Sequence, residues 1–240
     1  MRIDVYLAER GLAVSRTEAK AFIESEAVTV NGKVITKPSF SVSDADEVTL
    51  DRSSKKYASR GGLKLEFALQ SFNISVMGKS CLDVGASSGG FTDCLLIFGA
   101  DRVIAVDSGS GQIIDRLRSD GRVFVIENYN ARYMKSSDLA YLPELAVMDV
   151  SFISATHIIP AIFECLSDGG EFVCLIKPQF EVGRANIGKG GIVKDARARE
   201  GAVRAVVDFA TSVGFTHIGT VTSPITGTDG NIEYLAYFKK

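Results

Sequence analysis

The sequence predicts an α/β protein, with a mostly parallel sheet of seven strands and helices on both of its faces, preceded by a small α/β unit. Three observations predict this class. From residue 59 onward, apolar segments of strand length alternate with segments of helix length, a pattern typical of parallel strands joined by helices. A glycine-rich turn follows the first of these strands. Near the N-terminus, an Asn-Gly pair separates two short β-type segments.

Residues 1–52 are predicted to form the small unit. Ser15 and Glu18 have the spacing of a capping box, which predicts a helix that begins near Thr17. The Asn31-Gly32 pair suits a type I′ turn, so the flanking segments are predicted to form a β-hairpin. The predicted elements are an apolar segment at 2–9, a helix at 17–25, hairpin strands at 28–30 and 33–35, and a strand at 46–50.

Residues 61–240 are predicted to form the larger domain, and residues 53–60 a basic linker to it. The predicted strands are 80–85, 102–107, 123–126, 145–150, 171–176, 215–221 and 232–238. The predicted helices are 63–72, 91–98, 112–119, 156–166 and 197–213. Because the last two strands flank a glycine-containing turn, we expect them to end the sheet as an antiparallel hairpin.

Composition excludes several classes of protein. Hydrophobic residues make up 46% of the chain, which supports a packed core and argues against disorder. No apolar run reaches the roughly 18 residues of a membrane-spanning helix, and the first residues lack the apolar stretch of a signal peptide. We therefore expect a soluble, cytoplasmic protein without a membrane partner.

The cysteines and histidines disfavour metal chemistry. Cys81, Cys94, Cys165 and Cys174 show no Cys-x-x-Cys spacing and lie in apolar segments, so we expect buried free thiols. The chain has only 2 histidines, far apart in sequence, which disfavours a zinc site and a histidine-based nucleophile. No metal is expected.

The distribution of charge is more informative than the net charge of −2. Residues 52–64 contain basic side chains and no acidic ones. The basic residues are Arg52, Lys55, Lys56, Arg60 and Lys64. A solvated linker and a contact with RNA explain such a segment equally well.

A cofactor-binding loop is predicted where the first strand of the large domain ends. Gly85, Gly89 and Gly90 would let backbone N–H groups approach a ligand at the start of a helix. Asp107 ends the second strand, where a carboxylate can bind the ribose hydroxyls of an adenosine. On this basis alone, NAD and S-adenosylmethionine are both candidates.

Two details favour S-adenosylmethionine. Asp83 stands just before the first glycine, as in the loop that binds this cofactor in methyltransferases, and the spacing G-A-S-S-G-G departs from G-x-G-x-x-G. The predicted cofactor-binding residues are Asp83, Gly85, Ala86, Ser87, Gly89, Gly90, Phe91, Thr92, Asp107, Asn128, Asn130 and Asp149.

Four charged residues are candidates for catalysis. Asp149 and Lys177 end the fourth and fifth strands, at the edge where this kind of sheet carries its active site. Lys64 lies in the helix before the first strand, and Glu233 at the start of the last. Transfer of a methyl group to a ribose 2′-hydroxyl requires in-line alignment and a base. A lysine can be that base only if burial or a nearby cation favours its neutral form.

The N-terminal sequence R-I-D-V-Y-L-A-E-R-G-L-A-V-S-R-T-E-A-K, followed by V-T-V-N-G-K-V-I-T-K-P-S, resembles the RNA-binding domain named after ribosomal protein S-four. The resemblance implies RNA contacts by Arg2, Arg16, Lys20, Lys33 and Lys37, and we expect Lys55, Lys56 and Arg60 to extend them. The chain departs from the family at Ser25-Glu26-Ala27, where a glycine followed by an apolar residue is usual.

The Lys–Asp–Lys–Glu set resembles that of the FtsJ-like ribose 2′-O-methyltransferases. With S-R-G-G-L-K-L, D-V-G-A-S-S-G-G-F-T-D, V-M-D-V-S-F-I-S, L-I-K-P-Q-F-E and G-G-I-V-K-D, the whole chain resembles the TlyA family. This implies a Rossmann-like class I methyltransferase domain that uses S-adenosylmethionine to methylate a cytidine 2′-hydroxyl in ribosomal RNA or ribosomal subunits. It also implies that Lys177 is the base, with Asp149 and Lys64 as electrostatic partners and Glu233 as an orienting acid.

Three other functions remain as alternatives. An RNA base N-methyltransferase would use Asp149-Val150-Ser151-Phe152, but the two prolines of the corresponding motif are missing. A dehydrogenase is disfavoured by the glycine spacing, and a membrane-active haemolysin is suggested only by a label of the family. The family also usually has an aromatic residue between two glycines where this chain has Ser110. The target nucleotide and the oligomeric state stay open.

Overall fold

A computed structural model describes residues 1–24, 26–51, 56–227 and 229–240. The N-terminal unit has two helices, α1 (Ile3–Glu9) and α2 (Arg16–Glu24), and an antiparallel sheet of order β2-β1-β3. Its strands are β1 (Val28–Val30), β2 (Lys33–Val34) and β3 (Val48–Leu50).

The hairpin turn has the predicted geometry. Asn31 and Gly32 both have positive φ values, 50° and 75°, as a type I′ turn requires. The helices and strands share a core of apolar side chains that includes Ile3, Leu7 and Phe22. This burial, rather than helix propensity alone, stabilises two such short helices.

The larger sheet has seven strands in the order β6-β5-β4-β7-β8-β10-β9. They are β4 (Ser80–Val84), β5 (Arg102–Val106), β6 (Val123–Ile126), β7 (Leu145–Met148), β8 (Glu171–Ile176), β9 (Thr216–Thr222) and β10 (Tyr234–Lys239). Strands β4 to β8 are parallel, and β10 runs antiparallel to both of its neighbours, β8 and β9. The predicted mostly parallel sheet with a final antiparallel hairpin is confirmed.

The helices of this domain are α3 (Gly61–Ser71), α4 (Gly90–Ile97), α5 (Asp115–Arg118), α6 (Ile159–Cys165), α7 (Pro178–Glu181) and α8 (Ala196–Val213). Alternate residues of the central strands enter two separate apolar clusters, so both faces of the sheet are covered. Such two-sided burial explains why β7 is apolar throughout and why β5 is apolar after Arg102. All four cysteines are free and buried, as predicted.

Two helix predictions were wrong in extent. The helix expected at 112–119 is reduced to Asp115–Arg118, because Ile114 has an extended backbone and the side chain of Gln112 accepts a hydrogen bond from Ser87 Oγ. The helix expected at 156–166 begins with a separate 3₁₀ turn at Ala155–His157. Helix α7 was not predicted, although Pro178 at its start is a residue favoured there.

The predicted linker lies partly outside the described residues, which omit residues 52–55. Tyr57 is 3% exposed and packs in the core of the larger domain. The backbone N–H of Ala58 donates to Asp93, so the end of this segment is bonded to α4. Among the described residues, no helix is long and apolar enough to cross a membrane.

Candidate functional site

The four predicted catalytic residues meet in one cleft of about 400 Å³. Lys64 Nζ lies 2.6 Å from Glu233 Oε2, and Lys177 Nζ lies 2.5 Å from Asp149 Oδ1. Each lysine therefore has its own carboxylate, and the two ion pairs face the same space.

Sheet topology brings them together. Strands β7 and β8 are parallel neighbours, so Asp149 and Lys177, which follow them, lie at the same edge. Strand β10 is antiparallel to β8, and Tyr234 pairs with Ile176. Glu233, which immediately precedes β10, therefore lies beside the end of β8. Lys64 reaches the cleft from α3 and is 8% exposed.

The ion pairs determine the charge states of two members. Burial favours neutral Asp149, but the ammonium groups of Lys177 and Lys64 outweigh it and hold the pKa of this carboxyl below its usual value. Burial would also lower the pKa of Lys64, yet Asp149 and Glu233 outweigh it and raise this pKa. Lys64 is thus a permanent cation at neutral pH, which suits an electrostatic partner and not a base.

Two residues missed by sequence reasoning hold Lys177 and its surroundings. Ser151 Oγ accepts a hydrogen bond from Lys177 Nζ at 2.8 Å. Glu181 accepts from Ser154 Oγ and from the backbone N–H of Ala155, at 2.6 and 2.8 Å. Glu181 thereby joins the segment after Lys177 to the segment after Asp149. Both residues lie within quoted motifs, but their partners are about 26 residues away in sequence and only the fold brings them together.

The glycine loop contacts Asp149, the residue that follows β7. Gly85 has a φ of 85°, and a Cβ atom there would lie 2.3 Å from the carbonyl oxygen of Asp149. Any side chain would force the loop away from Asp149. A Cβ atom at Gly90 would lie 2.2 Å from Ser59 Oγ, so this glycine lets the segment before α3 pack on the loop. Gly85 is therefore required for the contact with Asp149, and Gly90 for the contact with the segment before α3.

A second cleft, of about 460 Å³, adjoins the first. The two clefts share Gly85, Ser87, Asp149, Ser151 and Phe152. The second is lined further by residues that follow β5 and β6, among them Asp107, Tyr129 and Asn130. The two clefts therefore meet at the glycine loop. Asp149 lines both of them, whereas Lys64, Lys177 and Glu233 line only the first.

Asp107 is held rigidly in the second cleft. Its Oδ2 accepts from the backbone N–H of Ser87 at 2.8 Å, and its Oδ1 from that of Gly109 at 2.7 Å. A carboxylate has about four acceptor sites, so it retains capacity for ribose hydroxyls. Asn130 lines this cleft, whereas Asn128 lies on the neighbouring surface with Tyr133.

Asp83 is the buried acid beneath the loop. It is 0% exposed, and its Oδ2 accepts from Thr92 Oγ1 at 2.6 Å. Its Oδ1 is buried without a hydrogen-bond partner among the described residues. Burial raises the pKa of Asp83 to about 7. A buried oxygen without a donor is costly, and a ligand ammonium or sulfonium would remove that cost.

The other predicted loop residues divide into two groups. Ala86, Ser87, Gly90 and Phe91 line the first cleft. Gly89 and Thr92 lie behind the loop: Gly89 packs near Leu117, and Thr92 is fully buried against Asp83. Among the described residues, no group of 3 or more His, Cys, Asp or Glu side chains could hold a metal ion.

An exposed aromatic pair stands at the junction of the clefts. Phe152 is 92% exposed and has a φ of 65°, a conformation that bulky residues rarely adopt. Its ring centroid lies 5.3 Å from that of Phe180. The sequence indicated a role for Phe152 only in a base N-methyltransferase. Its position shortly after the end of β7, close to Asp149, is the sequence feature that could have indicated a binding role.

In the N-terminal unit, two predicted RNA-contacting arginines share one buried acid. Arg2 Nε donates to Asp4 Oδ1 at 3.0 Å, and Arg16 Nη2 donates to Asp4 Oδ2 at 2.9 Å. Asp4 is 0% exposed, while the arginine side chains are 50% and 57% exposed. Each arginine therefore keeps half of its surface available to a ligand.

The remaining predicted RNA contacts are distributed along the chain. Lys20, Lys33 and Lys37 are exposed, and the last two line a groove beside the hairpin. Lys56 forms an ion pair with Glu66, and Lys55 lies outside the described residues. Arg60 lines the first cleft, together with the four predicted catalytic residues.

The fold and the site define the class of protein. A sheet of this strand order with a glycine loop after its first strand, an acid after its second and a Lys–Asp–Lys–Glu cluster at its carboxyl edge is that of a class I methyltransferase. The model of the FtsJ-like methyltransferase family matches residues 57–240, and that of the S4 domain matches residues 1–48.

Similar proteins match this chain over nearly its whole length. The chain is 44% identical over 239 residues to "Hemolysin A" of Brachyspira hyodysenteriae, covering 99% of each chain. It is 42% identical over 239 residues to "16S/23S rRNA (cytidine-2′-O)-methyltransferase TlyA" of Mycobacterium tuberculosis, covering 99% of this chain and 89% of the relative. A solved structure named as a hemolysin from Streptococcus thermophilus has a TM-score of 0.80 and 44% identity, covering 100% of this chain and 88% of the other. The chain belongs to the TlyA family of FtsJ-like methyltransferases with an S4 domain.

Proposed function

We propose that this protein methylates the 2′-hydroxyl of a cytidine in ribosomal RNA, with S-adenosylmethionine as the methyl donor. The observation that carries the proposal is the pair of lysine–carboxylate ion pairs at the point where two clefts meet. One cleft is suited to a nucleoside cofactor and the other to a target ribose. The relative from Mycobacterium tuberculosis carries this activity in its name.

The second cleft and the glycine loop are suited to the cofactor. Asp107 is positioned for the ribose hydroxyls of its adenosine, with Asn130 nearby. Gly85 lets the loop lie against Asp149, and Asp83 offers a buried carboxylate oxygen to a positively charged group. Of the predicted cofactor residues, Asp83, Gly89, Thr92 and Asn128 line neither cleft, and Asp83 and Thr92 lie buried beneath the glycine loop. When bound, S-adenosylmethionine supplies an electrophilic methyl group.

In the first cleft, Lys177 would first give up its own ammonium proton to solvent and then, as the neutral amine, take the proton of the 2′-hydroxyl as that oxygen accepts the methyl group. Lys64 remains protonated and supplies a positive charge to the same cleft. Asp149 and Ser151 hold the Lys177 amine, and Glu233 holds Lys64. Alignment and one base are all that this reaction requires of the protein.

The RNA would contact both parts of the molecule. Arg2 and Arg16 present half-exposed guanidinium groups from the S4 domain, and such groups suit phosphate oxygens. Phe152 offers an exposed ring beside the catalytic cleft, where an unstacked base can stack. Because ribosomal RNA is the proposed substrate, we expect the enzyme to act in the cytoplasm.

The test is methyl transfer from labelled S-adenosylmethionine to ribosomal subunits and to free ribosomal RNA from cells that lack the gene. We expect label on one cytidine, with resistance to alkaline cleavage on its 3′ side, because a 2′-O-methyl group blocks that cleavage. Lys177→Ala should bind the cofactor normally and lose at least about 10²-fold in rate, the smallest contribution expected of a general base.

Lys79→Ala is the matched control, because Lys79 also pairs with a carboxylate beside the sheet, Glu171, but lies outside both clefts. Its rate should be unchanged. Label on a base would reject ribose methylation, and a fully active Lys177→Ala variant would reject the assigned base. A protein that binds no S-adenosylmethionine would reject the proposal as a whole.

A further inference from the structure

Glu26 brings a carboxylate of the S4 domain into the catalytic cleft. It stands in the turn between α2 and β1 and has a φ of 61°. This left-handed conformation explains why glycine is usual in the family at this position. The same cleft is lined by all four members of the Lys–Asp–Lys–Glu set and by Glu26. Glu26 therefore has a strained backbone conformation, and its carboxylate adds negative charge to the cleft that we propose binds RNA.

Arg60 is the cation that faces it. Its Nη2 lies 3.8 Å from Glu26 Oε2, and its side chain is 11% exposed. Its Nε is buried, with no hydrogen-bond partner in the described part of the chain. Arg60 also lines the cleft, four positions before Lys64 on the same polypeptide segment. The guanidinium group of Arg60 therefore lines the same cleft as Lys64, and its Nε–H is available to donate a hydrogen bond.

The two ion pairs of α3 and its N-cap differ in strength. Lys64 and Glu233 are 2.6 Å apart, and Glu233 is 2% exposed. Arg60 and Glu26 are 3.8 Å apart, beyond hydrogen-bond distance, and Glu26 is 36% exposed. The first pair is hydrogen-bonded and buried, whereas the second is beyond hydrogen-bond distance and its carboxylate is partly exposed. A phosphate can offer Arg60 two hydrogen-bonding oxygens at once.

We propose that Arg60 binds the RNA phosphodiester next to the target ribose, and that Glu26 occupies this position on Arg60 in the free enzyme. RNA binding exchanges the carboxylate for the phosphate. Because Glu26 belongs to the S4 domain and Arg60 to the N-cap of α3, the exchange couples RNA docking on one domain to opening of the cleft on the other. This inference rests on the proposed function in that it takes RNA as the substrate.

The test compares Glu26→Gln with the wild type in RNA affinity and in KM for RNA as salt is varied. In the wild type, the exchange leaves the number of ion pairs unchanged, because Glu26 loses its partner when the phosphate gains one, and the freed carboxylate takes up a cation. In Glu26→Gln the phosphate gains a partner and no carboxylate loses one, so the dependence of log affinity on log salt should steepen by about 0.7 to 0.9. At low salt, KM for RNA should fall by about 3-fold to 10-fold. Glu26→Gly should behave alike, because it also removes the charge and suits the turn.

Arg60→Ala should raise KM, and adding Glu26→Gln to it should then change neither KM nor the salt dependence. Asp120→Asn is the control for net charge, because Asp120 also pairs with an arginine, Arg122, but lies outside the clefts. An unchanged salt dependence in Glu26→Gln would overturn the exchange, as would an equal effect in the Arg60→Ala background. The salt dependence of binding is read by fluorescence anisotropy without turnover, so it stands even if ribose methylation is disproved by the label.

Discussion

The two domains each bury one aspartate completely, and the two carboxylates differ in their partners. Asp4 in the S4 domain is bonded to Arg2, to Arg16 and to the backbone N–H of Val5. The hydrogen bond from Arg2, with that of Arg16, lowers the pKa of Asp4 to about 2. Asp83 in the methyltransferase domain has one hydroxyl partner and one oxygen without a donor.

This difference separates a structural role from a binding role. The partners of Asp4 are complete, so its charge is stabilised by the fold, and we expect it to orient two arginines for the proposed RNA ligand. The partners of Asp83 are incomplete, so burial raises its pKa to about 7 and its charge is stabilised only when a ligand arrives. We therefore expect this buried carboxylate with a missing donor to lie at the proposed cofactor site.

The largest expected effect is on the pH dependence of stability. Between about pH 4 and pH 7 the folded protein keeps a proton on Asp83 that the unfolded chain has lost. The stabilisation from Asp83 is therefore complete below its unfolded pKa and is lost as pH rises through about 7. The free energy of unfolding of the wild type, minus that of Asp83→Asn, should fall by on the order of 3 to 4 kcal/mol between pH 4 and pH 8. Urea unfolding at each pH measures it.

Asp4 gives the opposite slope at a different pH. Its folded pKa of about 2 lies below the usual value, so its stabilisation is present above the unfolded pKa and is lost as pH falls toward 2. A difference curve for Asp4→Asn should thus be flat between pH 5 and pH 8. A slope in that range for Asp4, or a flat curve for Asp83, would contradict the contrast between the two aspartates.

Cofactor binding should show the second largest effect. Asp83→Asn should weaken S-adenosylmethionine binding by about 10-fold to 100-fold, the range of a hydrogen bond to a charged group. Wild-type binding should strengthen as pH rises through 7 and should release a proton. Calorimetry in two buffers of different ionisation enthalpy measures that release. A binding constant independent of pH between 6 and 8 would show that Asp83 does not face the cofactor.

The third effect tests the S4 domain. Asp4→Asn leaves Arg2 and Arg16 without their shared anion, so stability should fall by about 1 to 2 kcal/mol. RNA affinity should fall as the arginines lose their orientation. Asp44→Asn is the matched control, because Asp44 pairs with Arg10 on the surface, where it is 80% exposed. If both variants bind RNA equally well, Asp4 has only a structural role.

The sequence was sufficient for the sheet and for part of the site. Asp149 and Lys177 could be selected because a charged residue at the end of an apolar strand stands out locally. The pairing of Lys64 with Glu233, which are 169 positions apart, depends on the placement of β10 beside β8. The shortening of α5 depends on a hydrogen bond between Ser87 and Gln112. Such long-range contacts leave no periodic signal in the chain.

Glu26 illustrates the same limit from the other side. The sequence identified it as a departure from the family pattern, and its positive φ now explains why glycine is usual there. Its approach to Arg60 depends on how the S4 domain packs on the methyltransferase domain. Neither the spacing of the two residues nor their charge predicts this contact. The backbone conformation at Glu26 could be predicted from the sequence, whereas its contact with a residue of the other domain could not.

The smallest expected effect is that of replacing Phe152, which should raise the stability of the protein and weaken its binding of RNA. Phe152 is 92% exposed with a φ of 65°, so it contributes little burial and strains its backbone. Phe152→Gly should therefore stabilise the protein by up to about 1 kcal/mol. It should also raise KM for RNA by about 10-fold, because one stacked base contributes 1 to 3 kcal/mol. Thermal unfolding and methyl-transfer kinetics measure the two effects on one preparation.

Phe124→Ala is the control for loss of an exposed ring, because Phe124 lies on the edge strand β6, outside both clefts, and is 42% exposed. It should leave KM for RNA unchanged. If Phe152→Gly stabilises the protein and leaves KM for RNA unaffected, the strain at this residue has no part in RNA binding. A rise in KM together with higher stability would show that the fold keeps a strained aromatic residue for its ligand, as it keeps an incompletely bonded carboxylate at Asp83.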